Sequence, residues 1–263
     1  MPELPEVETV VRTLAPHLAG RRIISASFTS RFVTPGNRNK LAARLAGRTV
    51  QAVYRRGKFI VISLDVGTLS VHLGMTGKLL MDAPEAQHTY GIFTLDEGVL
   101  LYEDPRQFGR IEWSGDVPKR VARLGPEPLE IGLEEFSRRL RSHKAQVKPL
   151  LLNQTFLAGM GNIYVDEALF NSGIHPLAIA SRLSAARAAR LYQAIRDVLS
   201  LAIHHRGSSI SDYVDADGER GDFQMLHRVY GREGEPCVNC GTPIKRIVVG
   251  QRGTHFCPRC QKR

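Results

Sequence analysis

The spacing of apolar residues changes character twice along the chain. Leu4, Val7, Val10, Val11, Leu14 and Leu18 recur at helical intervals, and Gly20 follows as a stop. One amphipathic helix is predicted, with Pro2 and Glu3 at its open N-terminal end, where unbonded amides and the helix dipole favour negative charge. From about residue 22 to 114 the pattern is that of β-structure. Strands are predicted over 23–28, 50–54, 58–64 and 69–73, and a hairpin over 90–95 and 99–102 around Asp96-Glu97-Gly98. Arg55-Arg56-Gly57 separates the second strand from the third, and Asp65-Val66-Gly67 turns the third into the fourth. Residues 34–39 and 83–87 read as loops. Many short strands joined by turn signals imply a sandwich or a barrel.

Beyond the rigid connector Leu124-Gly125-Pro126-Glu127-Pro128-Leu129 the pattern turns helical, so a domain boundary is placed just before it. Helices are predicted over 133–142, 147–154, 162–172 and 184–205. In the last, Leu191, Ile195, Val198, Leu199 and Ala202 form one apolar stripe, which is core. Residues 207–222, rich in Gly, Ser and Asp, read as a mobile loop. The divisions expected are a β-rich domain over 1–123, a helical domain over 124–228 and a cysteine-bearing hairpin over 229–263. The class is α+β.

Composition narrows the setting. The 263 residues are 43% hydrophobic and 24% charged, ordinary for a globular protein large enough for two modest cores. No apolar run reaches the length of a membrane span, and the mixed, acidic N-terminus is no secretory signal, so the cytoplasm is expected. Thirty-six Lys and Arg against 26 Asp and Glu give +10. That excess suits a polyanionic partner, nucleic acid first and an anionic membrane surface second.

The chemistry-bearing residues are few. Cys237-x-x-Cys240 and Cys257-x-x-Cys260, with 16 residues between the pairs, match a four-thiolate tetrahedral zinc site on a β-hairpin. Such a site has no open position, so the metal is structural. Arg252-Gly253 fall at the expected hairpin turn. Gly159-Met160-Gly161 ahead of Asn162 lets backbone amides approach an anion. Lys58 follows two arginines at a strand start, as a phosphate contact or a surface patch. His72 and Met75 end one strand, and Arg106 and Phe108 follow another; Met, Arg and Phe are residue kinds used as wedges in a base stack. An initiator Met before a small residue is normally trimmed, which would leave Pro2 with a secondary amine of pKa about 8. Such an amine attacks electrophilic carbon and gives an iminium. Glu3 and Glu6 lie beside it.

Taken in order, these residues resemble the bacterial formamidopyrimidine-DNA glycosylases over essentially the whole chain. The resemblance rests on Pro2-Glu-Leu-Pro-Glu-Val-Glu8, Arg55-Arg-Gly-Lys58, His72-Leu-Gly-Met-Thr-Gly77 and Asp104-Pro-Arg-Gln-Phe-Gly109. It continues through Leu124-Gly-Pro-Glu-Pro128, Gly161-Asn-Ile-Tyr164, Gly173-Ile-His-Pro176, Tyr230-Gly-Arg232 and the cysteines. It implies an N-terminal β-sandwich carrying the first helix, then a helical helix–two-turn–helix domain with a C-terminal zinc β-hairpin. It also implies a monomeric, cytoplasmic, nucleoid-associated bacterial enzyme with one structural zinc and no small-molecule cofactor, acting on damaged double-stranded DNA held in a basic cleft. By likeness, Pro2 is the Schiff-base nucleophile, Glu3 the general acid/base, Lys58 the proton donor in β-elimination and Arg252 the residue of δ-elimination. Glu6, His72, Met75, His88, Arg106, Phe108, Lys144 and Asn162 fall to DNA contact or site orientation, with Lys144 preferred over His143. The segment 211–224 corresponds to the one that closes over the extruded base. The sister endonuclease VIII enzymes, specific for oxidised pyrimidines, begin Pro-Glu-Gly-Pro, whereas Leu4 stands here. A non-catalytic zinc-containing damage binder would not need Pro2, Glu3 and Lys58.

Overall fold

The computed structural model describes residues 1–210 and 212–263, and the chain forms two compact units. The first comprises Met1–Arg123 and His205–Asp222; the second comprises Leu124–His204 and Phe223–Arg263.

In the first unit, helix α1 (Leu4–Leu18) buries the apolar stripe read from the sequence, with Leu4, Val7 and Leu14 at 0% exposure. Strand β1 (Ile23–Phe28) is followed by a short helix α2 (Arg38–Leu45), then β2 (Val50–Arg56), β3 (Phe59–Leu64), β4 (Thr68–His72), β5 (Lys78–Met81), β6 (Thr89–Leu95), β7 (Val99–Glu103) and β8 (Arg110–Ser114). A short helix α3 (Lys119–Ala122) ends this run. All pairings are antiparallel and make two four-stranded sheets, ordered β1-β6-β7-β5 and β2-β3-β4-β8. Phe28, Phe93 and Tyr102 from the first sheet share one core with Ile60, Val71 and Ile111 from the second, and α1 packs into it. This is a sandwich with a helix.

The second unit holds α4 (Leu133–Arg141), α5 (Val147–Leu152), α6 (Asn162–Asn171), α7 (Ala185–His204) and the hairpin β9 (Lys245–Val249) with β10 (Arg252–Phe256). Among the described residues no helix is long and apolar enough to cross a membrane.

Two of the stretches read as loops are placed differently by the structure. Part of the stretch read as a loop at 34–39 begins α2, because Asn37 caps it through Oδ1 to the Lys40 amide at 2.9 Å. The stretch 207–222, expected to be a mobile loop of the helical domain, belongs instead to the first unit. Its polar composition hides buried anchors: Ser208 donates its amide to Glu6 Oε1 at 2.7 Å, Ala216 accepts from Met81 N at 3.0 Å, and Ala216 N reaches Thr13 Oγ1 at 3.2 Å. Ser211, at the start of the expected closing segment, lies outside the described residues.

Candidate functional site

Pro2, Glu3 and Glu6 are all buried at the head of α1. Glu6 Oε2 accepts the Glu3 amide at 2.7 Å, satisfying a donor the helix cannot use. Its other oxygen takes the Ser208 amide, and Tyr213 donates its hydroxyl to the Glu6 carbonyl at 3.1 Å. Glu6 thereby joins the N-terminus to the 205–222 segment. Gly207 sits at φ +78, and a Cβ there would lie 2.7 Å from Glu6 Oε1, so the close approach requires glycine. The amine of Met1 falls below its ordinary pKa chiefly by burial; Glu3 and Glu6 oppose this, while Lys58 and Arg106 reinforce it. The chain's first atoms therefore lie in the field of two carboxylates and two cations, drawn from α1, the β2–β3 turn and the loop after β7.

Lys58 is 7% exposed and follows Gly57, which turns at φ +57. Arg55 is committed elsewhere: its Nε donates to Glu8 Oε2 at 2.8 Å and its NH1 to the Gly57 carbonyl at 3.1 Å, tying the turn to α1. The three-cation run is thus two inward-facing groups, not a solvated patch. His72 pairs with Phe59 across the sheet, ring centroids 4.9 Å apart, and its Nδ1 accepts the Gly74 amide at 3.1 Å. Burial, aided by the charges of Lys58, Arg120 and Arg110, lowers its pKa to about 4, so it stays neutral.

Met75, Arg106 and Phe108 are all exposed. They stand on two loops, between β4 and β5 and between β7 and β8, that meet at Asp104. Asp104 is 0% exposed; its Oδ1 accepts from Thr76 Oγ1 at 2.6 Å and its Oδ2 from Gly109 N at 2.7 Å and Tyr102 Oη at 3.3 Å. The Arg106 guanidinium lies over the Phe108 ring at 4.7 Å. His88, half-buried, receives the Asp104 amide on its carbonyl at 3.0 Å and has Tyr90 Oη 3.5 Å from its Nδ1.

In the second unit, Asn162 opens α6 and donates Nδ2 to the Gly253 carbonyl at 2.9 Å; its Oδ1 is buried and has no partner among the described residues. Lys148, fully buried, reaches Asp166 Oδ1 at 2.6 Å and the same Gly253 carbonyl at 3.1 Å, while Asp166 Oδ2 accepts His255 N at 2.9 Å. The hairpin is bolted to α5 and α6 beside Arg252. The turn itself is Gly250-Gln251, at φ +55 and +62, and Arg252 is the first residue of the returning strand rather than part of the turn. Lys144 is exposed; His143 is turned onto the Phe156 ring at 5.5 Å, its Nδ1 2.8 Å from the Arg139 carbonyl. Glu167, 2% exposed, collects the amides of Arg228, Val229 and Tyr230. Burial raises its pKa, against those amides, which lower it.

The sequence reading did not single out Asp104, Lys148, Asp166 or Glu167. A charged residue between apolar neighbours was the available signal: Lys148 follows Val147, and Asp166 and Glu167 sit between Val165 and Ala168 in a helix buried nearly all round.

The four cysteine sulfurs lie within 4.8 Å of one another, with Cys237–Cys260 at 3.9 Å and Cys240–Cys257 at 3.5 Å. A tetrahedron of Zn–S bonds near 2.3 Å has edges of about 3.8 Å. Backbone amides of Asn239 and Cys260 point at the sulfurs of Cys237 and Cys257 at 3.5 and 3.4 Å, which favours thiolates. The donor set fits one structural zinc.

Comparison with known proteins agrees across the chain. Residues 1–111 match the formamidopyrimidine-DNA glycosylase N-terminal domain, residues 124–214 the H2TH domain of the same enzymes, and residues 234–263 a zinc finger found in FPG and IleRS. A formamidopyrimidine-DNA glycosylase of Solibacter usitatus is 58% identical with both chains fully covered, and one of Herpetosiphon aurantiacus is 46% identical over 99% of this chain and 100% of its own. Among solved structures, the MutM (FPG) protein of Thermus thermophilus superposes with a TM-score of 0.90 at 42% identity, covering 99% of this chain and 98% of its own. A Lactococcus lactis FPG mutant, in complex with a Fapy-dG containing DNA, does so at 0.92 and 39%, with both chains fully covered. With three domain models in order and relatives this similar along their full length, the chain belongs to the formamidopyrimidine-DNA glycosylase family.

Proposed function

We propose that the chain is a bifunctional DNA glycosylase and abasic-site lyase that removes oxidised purines, 8-oxoguanine and formamidopyrimidines, from duplex DNA. It works as a monomer on chromosomal DNA in the cytoplasm. The observation that carries the reading is that Pro2 is buried at the head of α1 beside the buried Glu3 and Glu6, with Lys58 buried in the same unit. The amine just ahead of Pro2 already stands in the field of those carboxylates and of Lys58 and Arg106, and an amine beside acids and a lysine is what imine chemistry needs.

Removal of Met1 frees the Pro2 nitrogen. The damaged nucleotide leaves the stack, since its glycosidic bond is unreachable inside the duplex. Pro2 nitrogen bonds to C1′, the C1′–N9 bond breaks, and the base departs with its electron pair and a proton. The nitrogen lone pair then opens the sugar ring by breaking the C1′–O4′ bond, O4′ takes a proton from Glu3, and the resulting iminium acidifies C2′. Loss of that proton expels the 3′ phosphate, loss of a C4′ proton expels the 5′ phosphate, and water hydrolyses the imine to free Pro2. Glu3 moves protons at the sugar, Lys58 protonates during β-elimination, and Arg252 supports δ-elimination. Glu6 holds the Glu3 backbone in place. Met75, Arg106 and Phe108 fill the gap left by the extruded nucleotide and probe its partner. Lys144, Asn162, His72 and His88 contact or frame the backbone. The zinc, on Cys237, Cys240, Cys257 and Cys260, keeps the hairpin rigid and does no chemistry. A relative from Lactococcus lactis crystallised with abasic-site DNA supports the lyase half of this reading.

Borohydride trapping tests it. The wild-type protein with duplex containing 8-oxoguanine opposite cytosine is expected to give a covalent protein–DNA adduct whose cross-link lies on the Pro2 nitrogen, and protein with that nitrogen acetylated none. An adduct that survives acetylation or maps to another residue, or none from the wild type, defeats the reading.

A further inference from the structure

We propose that Asp104 is a positioning residue that locks the Met75 loop and the Arg106–Phe108 loop into one rigid probe of the duplex. The inference rests on the DNA-repair reading above and extends it to a residue that touches no substrate.

The two loops come from different strand connections, yet both end on the same buried carboxyl group. Oδ1 takes the hydroxyl of Thr76, next in sequence to Met75. Oδ2 takes the amide of Gly109, next to Phe108. Thr76 Oγ1 in turn accepts the Arg106 amide at 3.3 Å, so the hydroxyl is used twice and closes a ring of bonds through both loops. The Asp104 carbonyl accepts Gln107 N at 3.0 Å, and Gln107, held at φ +53, takes Ser30 Oγ on its Oε1 at 2.6 Å. Tyr102 donates from below, and burial with the adjoining Asp104 carboxyl pushes its pKa well up, so it remains a donor.

Steric fit closes the remaining freedom. A Cβ on Gly74, which stands at φ +60, would lie 2.5 Å from the Gly109 amide, and one on Gly109 would overlap Tyr102 Oη. The loops meet backbone to backbone, with the exposed Met75, Arg106 and Phe108 at their tips. Insertion into a base stack demands stiffness, because unstacking is unfavourable and a wedge that yields does not impose it. Loops held by one another lose little order on binding. Asp104 supplies that stiffness without an exposed atom.

The test separates the probe from the chemistry. Asp104→Asn keeps shape but offers one acceptor oxygen where two are used; Thr76→Val removes the shared hydroxyl from a less buried position. Each variant is measured on two substrates: a duplex with 8-oxoguanine opposite cytosine, and a single-stranded oligonucleotide with a preformed abasic site, trapped by borohydride. The second needs Pro2 chemistry but no gap filling. Both variants are expected to lose roughly 10- to 100-fold in kcat/KM on the duplex. Trapping on the single strand should stay within about twofold. A 2-aminopurine beside the lesion should lose its unstacking signal in both. Equal loss on the two substrates makes Asp104 a plain stability residue and overturns the proposal, as does no loss on the duplex. Failure of the wild type to trap on the single strand is a different result: it strikes the Pro2 reading itself.

Discussion

His72 is the residue whose environment makes the sharpest solution prediction. Its folded pKa, about 4, lies below the 6.5 of an unfolded histidine, so the native state binds the proton less well. The native state is thus fully favoured above pH 6.5, and stability falls as pH drops towards 4, by up to about 3 kcal/mol from this one ring. His227, lowered by burial to the same value, adds its own share in the second unit. Denaturant unfolding followed by Trp113, on the strand paired with that of His72, should therefore show a steeper acid loss in the wild type than in His72→Gln. Parallel curves would mean that the ring is solvated. At this scale the sequence was legible for the four cysteines, whose type and spacing point to the cluster that the structure brings together, whereas the roles of Pro2, Met75, Arg106 and Phe108 follow from the family likeness and not from spacing. Lys148 and Glu167 carry theirs in partners up to 105 residues away in sequence, as in Lys148 to Gly253. No local pattern encodes such a partner, only the oddity of a charge among apolar neighbours.

Elements were legible wherever a hydrophobic period ran long enough to be counted. Helices α1 and α7 and strands β1, β3, β4, β6 and β7 lie where alternation or helical spacing puts them. The four-residue strand β5 is too short to show a period, and α2 presents just Leu41, Leu45 and the half-buried Ala42 to the core, so its stretch was read in part as a loop. The 205–222 segment was misassigned for a different reason. Composition reports the average affinity of side chains for water, whereas this segment is held by backbone bonds to Glu6, Thr13 and Met81 and by the side chains of Ala216, in the core, and Tyr213, against it. That account is testable at Gly207. Gly207→Ala forces a Cβ against Glu6 at positive φ, a conflict worth on the order of 1–3 kcal/mol. The amides of Ser208 and Ala216 should then exchange faster by roughly 5- to 150-fold, while those in β3 and β4 keep their protection. Uniform acceleration across the first unit would show that the segment is part of the sandwich core rather than a separately anchored strap.

At the scale of the whole molecule, the two units have different sources of order. The first is a sandwich around a continuous apolar core that runs from Val7 to Ile111. At the zinc end of the second, a small cluster packs around the cysteines: Phe170, Val229, Cys237, Ile244 and Cys257. Beyond the bonds that tie Gly253 and His255 to α5 and α6, five side chains are too few to hold the knuckles in place unless the thiolates are tied together, and small zinc modules unfold when the metal is taken. The remainder of the second unit, with Leu140, Leu151 and Leu199 at 0% exposure, has apolar contacts of its own. Chelation should therefore unfold the chain in part. The single tryptophan, Trp113, lies in the first unit under the Arg44 guanidinium at 4.4 Å and reports on that unit alone. On removal of zinc by a strong chelator, its emission and its thermal midpoint should be unchanged. Far-ultraviolet dichroism should lose a small strand component, and exchange protection at His255, whose amide rests on Asp166 Oδ2, should drop. Lesion-duplex binding should weaken by about 100-fold or more, as when a basic element loses its fixed geometry. If Trp113 instead melts in step with metal loss, the units are one cooperative body, and the zinc stabilises the sandwich as well as the hairpin.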